Sequence, residues 1–234
     1  AIGTVDAWIG TLAFTGQIFC DFAGYSTIAI GSALCLGFNI PNNFNSPYGA
    51  SGFSDFWRRW HISLSTWLRD YLYIPLGGNR HGEVKTYRNL MITMLLGGLW
   101  HGANWTFVVW GGLHGLFLAA EHAFKRATGG LRLPQGRLWS VLPILATFLL
   151  INITWVFFRA HDFTSATLII SALFGIHGET SPMLPYAKIV EVLVCISAIF
   201  ATHVYLRDKR LEDVVSRMPR MLVPAAWATA AFLV

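Results

Sequence analysis

Two histidines in this sequence each follow a tryptophan, in the pairs Trp60-His61 and Trp100-His101. A neutral imidazole can remove a proton from a hydroxyl group, because its ordinary pKa of about 6.5 lies near physiological pH. His101 lies in the apolar run Leu95–Asn104, which contains no other ionisable residue. An ionisable side chain in hydrocarbon is costly and usually faces a protein interior or a wet cavity. We therefore predict that His101 acts as a general base. His61 lies beside two arginines, and by itself it fits an ordinary interfacial histidine as well as a functional one.

The position of His101 in the chain fits this role. It follows Arg88 by thirteen residues, which is about 20 Å along a helix, within a hydrocarbon core of roughly 30 Å. A base at that depth would be reachable from both faces of the membrane through opposed channels. Gly98 and Gly102 flank it at a spacing of four residues, which allows a helix or a substrate to approach closely. The competing interpretation is a core histidine that bonds a backbone carbonyl.

The elements that position these residues are predicted to be helices. Hydrophobic residues make up 54% of the chain and charged residues only 12%, about half the charged share of a soluble domain. Regular apolar/polar alternation is absent, so no sheet is predicted. We expect an all-α fold, a polytopic transmembrane helical bundle that forms a single membrane domain over residues 1–234.

Five apolar regions are predicted to build this bundle. One of them, Ala7–Phe38, is too long for one upright span and is either one tilted helix or two pieces broken near Asp21–Gly24. The other four have the length and composition of single spans: Val84–Trp100, Asn104–Ala123, Leu138–Phe158 and Ala187–Leu206.

Positive charge is concentrated in three segments that hold fifteen of the 17 Lys and Arg residues: Arg58–Arg88, Lys125–Arg137 and Arg207–Arg220. The predicted spans place all three on one side of the membrane, and Arg159 and Lys188 flank the opposite connection. Positive-inside bias makes the basic side cytoplasmic, so we expect a multi-pass protein of a bacterial inner membrane. Contact with membrane lipid explains the net charge of +5 better than nucleic acid does, and no nucleic-acid partner is expected.

The segment from residue 53 to residue 75 is aromatic, basic and amphipathic, and we predict that it is interfacial or re-entrant. Ser54 is the predicted cap of a helix that starts at Asp55. Anchoring at the membrane interface explains most of the tryptophans here. Arg69 and Asp70 interrupt the apolar stripe and are assigned to substrate binding; as a buried pair they would hold the segment in a fixed pose.

Four blocks of this sequence resemble, in the same order, blocks of the membrane-bound O-acyltransferase (MBOAT) family: Phe19–Gly31, Phe56–Asn79, Gly97–Gly115 and Trp155–Ala160. The closest branch is the bacterial one that acetylates alginate or transfers D-alanine to teichoic acid. The match runs through most of the sequence. The N-terminal helices of the family are not in it, so we expect the C-terminal part of an MBOAT-type fold.

The resemblance implies a membrane enzyme with a reaction chamber inside the bilayer. The histidine equivalent to His101 is the catalytic one in the family, and the one equivalent to His61 is a second functional polar position. The resemblance therefore implies that His61 assists His101 in catalysis. The expected reaction moves an acetyl group from a cytoplasmic thioester, acetyl-CoA as co-substrate with no bound cofactor, to hydroxyls of an extracytoplasmic polysaccharide such as alginate. Transfer is direct or through a periplasmic acetyltransferase partner. D-alanyl transfer to teichoic acid is the alternative within the family.

Other polar residues near these blocks are given supporting roles. Trp100 and Asn104 are assigned to substrate binding, although Asn104 also has the position of an ordinary helix cap. Asp21 is expected to pair with an arginine of the Arg58–Arg69 segment. His114 is expected to bond across the helix bundle.

Three other functions compete with acyl transfer as interpretations of these residues. A membrane haem protein could use His101 and His114 as axial ligands, but the glycines between them favour two separate helices. A transporter or scaffold without catalysis would line a solute path with the same ionisable groups. A metal hydrolase is disfavoured, because the sequence has no His-x-x-x-His motif or cysteine pair.

Overall fold

The computed structural model describes residues 2–129, 137–176 and 182–209. In these ranges the chain forms helices and turns with no strand, which confirms the predicted all-α class. The helices are α1 (Thr4–Cys35), α2 (Phe53–Trp57), α3 (Ile62–Leu68), α4 (Glu83–His101), α5 (Trp105–Ala127), α6 (Arg137–Arg159), α7 (Phe163–Leu173) and α8 (Tyr186–Leu206). A short 3₁₀ turn, Pro47–Gly49, precedes α2, and a π-helical turn, Arg69–Tyr73, follows α3.

Four helices of the described chain are long and apolar enough to cross a membrane, namely α1, α5, α6 and α8. The first of them settles the question left open for Ala7–Phe38, since α1 is one continuous helix of 32 residues with no break near Asp21. Helix α4 was predicted to span, but it is not among the four. Its first turns carry Glu83, Lys85 and Arg88, which reduces its apolar character. Helix α7, with 11 residues, was not predicted.

Helices α4 and α5 form a tight antiparallel hairpin. Only residues 102–104 connect them, and glycines face one another along their contact. A β-carbon added to Gly98 would overlap the carbonyl oxygen of Phe107, and one added to Gly111 would overlap the carbonyl oxygen of Met94. Small residues allow such backbone contact between helices in a membrane. His101 is the last residue of α4, so the hairpin backbone fixes where its side chain starts.

The basic segments meet at one end of the bundle, here called the basic end. The backbone N–H of Ser54 donates to Glu121 near the end of α5 at 3.0 Å. Arg126, in the last turn of the same helix, pairs with Glu83 at the start of α4. Arg207, just beyond α8, reaches Asp55 of α2 at 3.2 Å. Parts of the three predicted basic segments therefore lie at the same end of the bundle.

An aromatic core holds the short helix α2 against the long helices. Its fully buried members include Tyr48, Phe56, Trp110 and Trp155. The indoles of Trp110 and Trp155 stack with ring centroids 5.9 Å apart, which joins α5 to α6. Trp60 stacks on Phe56 at 5.6 Å. Of the tryptophans in residues 53–75, Trp60 lies in this core and Trp57 packs against it, whereas Trp67 is exposed. Anchoring at the lipid interface therefore does not account for most of them.

Candidate functional site

The predicted helix from Asp55 to Pro75 is not continuous, and its break determines the position of His61. The chain leaves α2 at Trp57 and begins α3 at Ile62, after His61 with φ 44° and ψ 54°. This left-handed conformation is sterically unfavourable for a residue with a side chain, although histidine adopts it more readily than most. Ser54 is not the cap that we predicted: α2 begins at Phe53, and the Ser54 hydroxyl accepts a hydrogen bond from Arg58.

The loop before α2 holds the break in place. The carbonyl oxygen of Asn43 accepts the N–H of Ile62 at 3.0 Å. Its side-chain oxygen accepts both the N–H and the hydroxyl of Ser63, at 3.1 and 2.6 Å. The Ser63 hydroxyl also lies 3.4 Å from Nδ1 of His61. These contacts compensate for the unfavourable backbone and orient the imidazole, an arrangement common where a residue has a functional role.

His61 and His101 line the same cavity, of about 600 Å³. Its wall comes from one face of α1, the break before α3, the end of α4 and the end of α6. The lining residues are Phe14, Gln17, Ile18, Asp21, Phe22, Tyr25, His61, Trp100, His101 and Phe158. The structure therefore brings together the two predicted catalytic histidines, which are forty residues apart in the sequence.

Aromatic rings surround the imidazole of His101. The ring centroids of Trp100, Trp110 and Phe158 lie 5.0, 5.2 and 5.0 Å away. Within the described part of the chain, no protein group hydrogen-bonds to this imidazole. The competing interpretation, a core histidine that bonds a carbonyl, therefore has no support among the described residues. Both ring nitrogens remain available to a ligand in the cavity.

Trp100 contacts both histidines. Its ring centroid lies 6.1 Å from that of His61 and 5.0 Å from that of His101. The indole is 61% exposed, so it is open to a ligand in the cavity. His61 also packs edge-on against Phe22 of α1 at 4.7 Å. Burial lowers the pKa of His61 from 6.5 to about 4, so this imidazole is neutral near pH 7.

Asp21 lines the cavity but does not form the ion pair that we predicted. Each arginine of the Arg58–Arg69 segment has a partner nearer in the chain or at the end of α8. Arg58 and Arg59 pair with Asp55, and Arg59 also reaches Asp208. The Asp21 side chain is exposed in the cavity wall, where it adds a polar group.

Three of the residues that we assigned to substrate binding do not line this cavity. Arg69 and Asp70 pair with each other at 2.7 Å, but both side chains are largely exposed, so they are not the buried pair that would fix the segment. Asn104 caps α5 by accepting the N–H of Thr106 at 3.1 Å, and its amide donates to the carbonyl oxygen of His161 at 3.0 Å. Its role is to hold the α4–α5 turn beside the end of α6.

His114 bonds across the bundle as predicted. It is fully buried, with Nε2 3.0 Å from the hydroxyl of Thr154 and Nδ1 accepting the indole N–H of Trp57 at 3.2 Å. His114 lies on α5 and His101 on α4. The two histidines therefore do not lie on one face of a single helix, as the haem-protein alternative required. Among the described residues, no three His, Cys, Asp or Glu side chains are grouped as metal ligands.

The largest part of the cavity wall was not predicted. Phe14, Gln17, Phe22 and Tyr25 all come from α1, and Phe158 comes from the last turn of α6. The residues from α1 recur at intervals of three or four, which places them on one helical face. Gln17 and Asp21, the polar residues on that face, were the available sequence signal.

The model of the MBOAT, membrane-bound O-acyltransferase, family matches residues 4–175. A protein of Azotobacter vinelandii, named a probable alginate O-acetylase AlgI, is 49% identical over 82% of this chain and 37% of its own length. The peptidoglycan O-acetyltransferase of Helicobacter pylori is 46% identical over 76% of this chain and 33% of its own. The teichoic acid D-alanyltransferase of Bacillus subtilis is 32% identical over 58% of this chain and 36% of its own. The chain thus spans about a third of the length of the curated relatives that it matches.

Proposed function

The chain belongs to the membrane-bound O-acyltransferase family, and from that premise we propose that the protein transfers an acyl group from a thioester to a hydroxyl. The acyl group is acetyl, the donor is a cytoplasmic thioester such as acetyl-CoA, and the acceptor is an extracytoplasmic polysaccharide. The protein is a multi-pass protein of a bacterial inner membrane. Acetyl reaches the polymer directly or through a periplasmic partner protein.

The shared cavity of His61 and His101 carries this proposal. The acceptor oxygen attacks the thioester carbonyl carbon as the His101 imidazole takes the hydroxyl proton. The carbon–sulfur bond then breaks, and the thiolate leaves and takes up a proton. Neutral His61, held by its backbone and by Ser63, orients the acyl donor.

The percentage sequence identities to the relatives support acetyl rather than D-alanyl as the group transferred. The proteins named for acetylation are 46% and 49% identical to this chain. The protein named for D-alanyl transfer is 32% identical over a smaller part of it. Two different acceptors, alginate and peptidoglycan, occur among the names of the former group, so we propose a polysaccharide and take alginate as its first test.

Incorporation of labelled acetate tests this function in cells that express the full-length protein. We expect wild type to label its exopolysaccharide and His101→Ala to lose that label. His81→Ala is the matched control, because this histidine is exposed and lies outside the cavity. Equal labelling in wild type and His101→Ala would disprove the catalytic assignment and favour the transporter or scaffold alternative. Labelling with D-alanine but not with acetate would replace the acetyl group in the proposal.

A further inference from the structure

A second cavity, of about 410 Å³, lies beside the histidine cavity at the end of the bundle opposite the basic end. It is formed by the first turns of α1, the end of α6 and the face of α7. Phe14 lines both cavities, and Phe158 of the first adjoins Arg159 of the second in the chain. The carbonyl oxygen of His161, another lining residue, accepts the Asn104 amide from the α4–α5 turn. A ligand held here would therefore lie next to the His101 site.

Arg159 is the unusual residue of this second cavity. Among the residues that the structure describes, two Lys or Arg residues lie at the end opposite the basic end. The other one, Lys188, pairs with Glu191 at 2.7 Å. Arg159 has no carboxylate partner among the described residues. Its guanidinium lies over the ring of Phe14, 5.7 Å from the centroid. A cation placed against the positive-inside bias, with no counter-ion among the described residues around it, suggests that an anionic ligand completes the site.

Asp6 supplies a carboxylate to the wall of this cavity, but it forms no ion pair with Arg159. Asp6 is buried, and its two oxygens accept the backbone N–H groups of Met183 and Leu184 at 2.9 and 3.1 Å. These bonds commit Asp6 to fixing the start of α8 against α1. The remaining wall is mainly aliphatic and aromatic, and it includes the hydroxyl groups of Thr11 and Ser165. The Thr11 hydroxyl donates to the carbonyl oxygen of Ala7 at 2.8 Å, so towards a ligand it can act as an acceptor. Hydroxyls and rings next to a guanidinium match the groups of an acidic sugar.

We propose that this second cavity binds a carboxylate-bearing sugar unit of the acceptor, with Arg159 as the group that recognises the carboxylate. The inference rests on the proposed function, since it assigns the place where the acceptor polymer waits before its hydroxyl enters the His101 cavity. The guanidinium can bind a carboxylate through two parallel hydrogen bonds, which a single ammonium cannot do. Acidic polymers are therefore preferred over neutral ones of the same length.

The test measures binding and turnover of the full-length protein in nanodiscs, with a short uronic-acid oligomer and a neutral hexose oligomer of equal length. We expect Arg159→Gln to weaken binding of the acidic oligomer at least ten-fold, to raise its KM similarly, and to leave weak binding of the neutral oligomer unchanged. Arg159→Lys should recover only part of the loss. Lys188→Gln is the matched control at the same end and should behave as wild type.

Several results would overturn the inference. Wild-type affinity in Arg159→Gln would do so, as would equal losses in Arg159→Gln and Lys188→Gln, which would indicate a general charge effect. Binding that follows the anionic lipid content of the nanodisc, with no competition by the acidic oligomer, would assign the cavity to a lipid headgroup instead. His101→Ala separates the two proposals, because it should bind the acidic oligomer normally while losing turnover. If it turns over normally, the catalytic proposal fails while the binding data still decide the role of Arg159.

Discussion

His61 and His101 face one cavity from two separate elements, and the ring of Trp100 contacts both, at 6.1 and 5.0 Å between centroids. The two imidazoles differ in how they are held. His61 is fixed by an unusual backbone conformation and has Ser63 as a neighbour, whereas His101 packs against aromatic rings and has no hydrogen-bond partner among the described residues. This difference supports different roles for the two, with His101 free to exchange a proton and His61 held in one orientation.

Substitution of the two histidines should therefore affect different kinetic constants. We expect His101→Gln to lower kcat by about 10²- to 10⁴-fold with little change in KM, because it removes the base and not the binding wall. His61→Gln should lower kcat less and raise the KM of the acyl donor. Steady-state kinetics of the full-length enzyme in detergent would measure both. Identical losses of kcat alone in the two variants would contradict separate roles.

The left-handed backbone at His61 predicts an unusual order of stability among its variants. His61→Asn and His61→Gly should unfold at or above the wild-type temperature, since both residues accept φ near 44°. His61→Val should cost about 1–2 kcal/mol, because a β-branched residue fits this conformation poorly. Thermal unfolding in detergent would show this order. Equal stability of the Val and Asn variants would mean that the backbone there relaxes freely.

Burial of His61 also predicts a pH dependence. Its pKa is 6.5 when exposed and about 4 in the fold, so the unfolded chain binds a proton that the folded chain does not. The stability of wild type should fall as pH drops from 6.5 towards 4, by the linkage between proton binding and folding. His61→Asn should lack this component. Unfolding temperatures of both proteins across that range would reveal it, and parallel curves would refute it.

The glycines between α4 and α5 allow a comparison within one helix. Gly111→Ala would overlap the carbonyl oxygen of Met94, whereas Gly112→Ala meets only the Leu95 side chain at an ordinary 3.5 Å. We expect the first change to destabilise the protein by about 1–3 kcal/mol and to lower turnover, because α4 carries His101. The second should be nearly neutral. Unfolding and activity assays on the pair would decide, and equal effects would exclude close packing as the cause.

Asp55 joins α2 to the end of α8 and is expected to be important for stability. Burial raises the pKa of Asp55. The hydrogen bonds from the Ser51 N–H and from Arg59, together with the charge of Arg207, lower this pKa by more than burial raises it, so the net change is a decrease. Asp55→Asn should cost about 1–3 kcal/mol near pH 7, since it leaves partly buried arginines with a weaker partner. The stabilisation is present above the unfolded pKa of 3.8 and is lost as pH falls through the folded value.

A matched control for Asp55 is Asp70, whose pair with Arg69 lies in the open. Asp70→Asn should leave the unfolding temperature unchanged, because solvent screens an exposed pair. The two variants and wild type can be compared by thermal unfolding at pH 7 and again near pH 3. A difference between Asp55→Asn and wild type that persists undiminished at the acidic pH would show that charge is not its origin.

Helical periodicity and composition predicted most of the fold, because each span is long, apolar and bounded by charge. They failed for residues 53–75, since an amphipathic pattern does not reveal a single left-handed residue such as His61. They also missed α7, which has only 11 residues between longer apolar runs.

Prediction of the site was limited by long-range contacts. The histidines were identified because ionisable groups are conspicuous in apolar sequence. The wall from α1 was not, because Phe14 and Phe22 look like any other lipid-facing or core residues until their neighbours are known. Asn104 and Arg69 lie outside the histidine cavity, because a polar residue close in sequence to a histidine need not share its cavity: Asn104 caps α5, and the Arg69 side chain is largely exposed. Their assignment to substrate binding stays a prediction.

The glycine contact between Gly98 and Gly111 has a consequence for precision at the site. A slip of α4 by one residue would put the Leu99 side chain against a backbone that tolerates no β-carbon at this point. The absence of a β-carbon at Gly98 and Gly111 therefore disfavours this slip. The position of the His101 imidazole beside Phe158 at the end of α6 thus depends on the two glycines of the α4–α5 contact, which do not touch the imidazole.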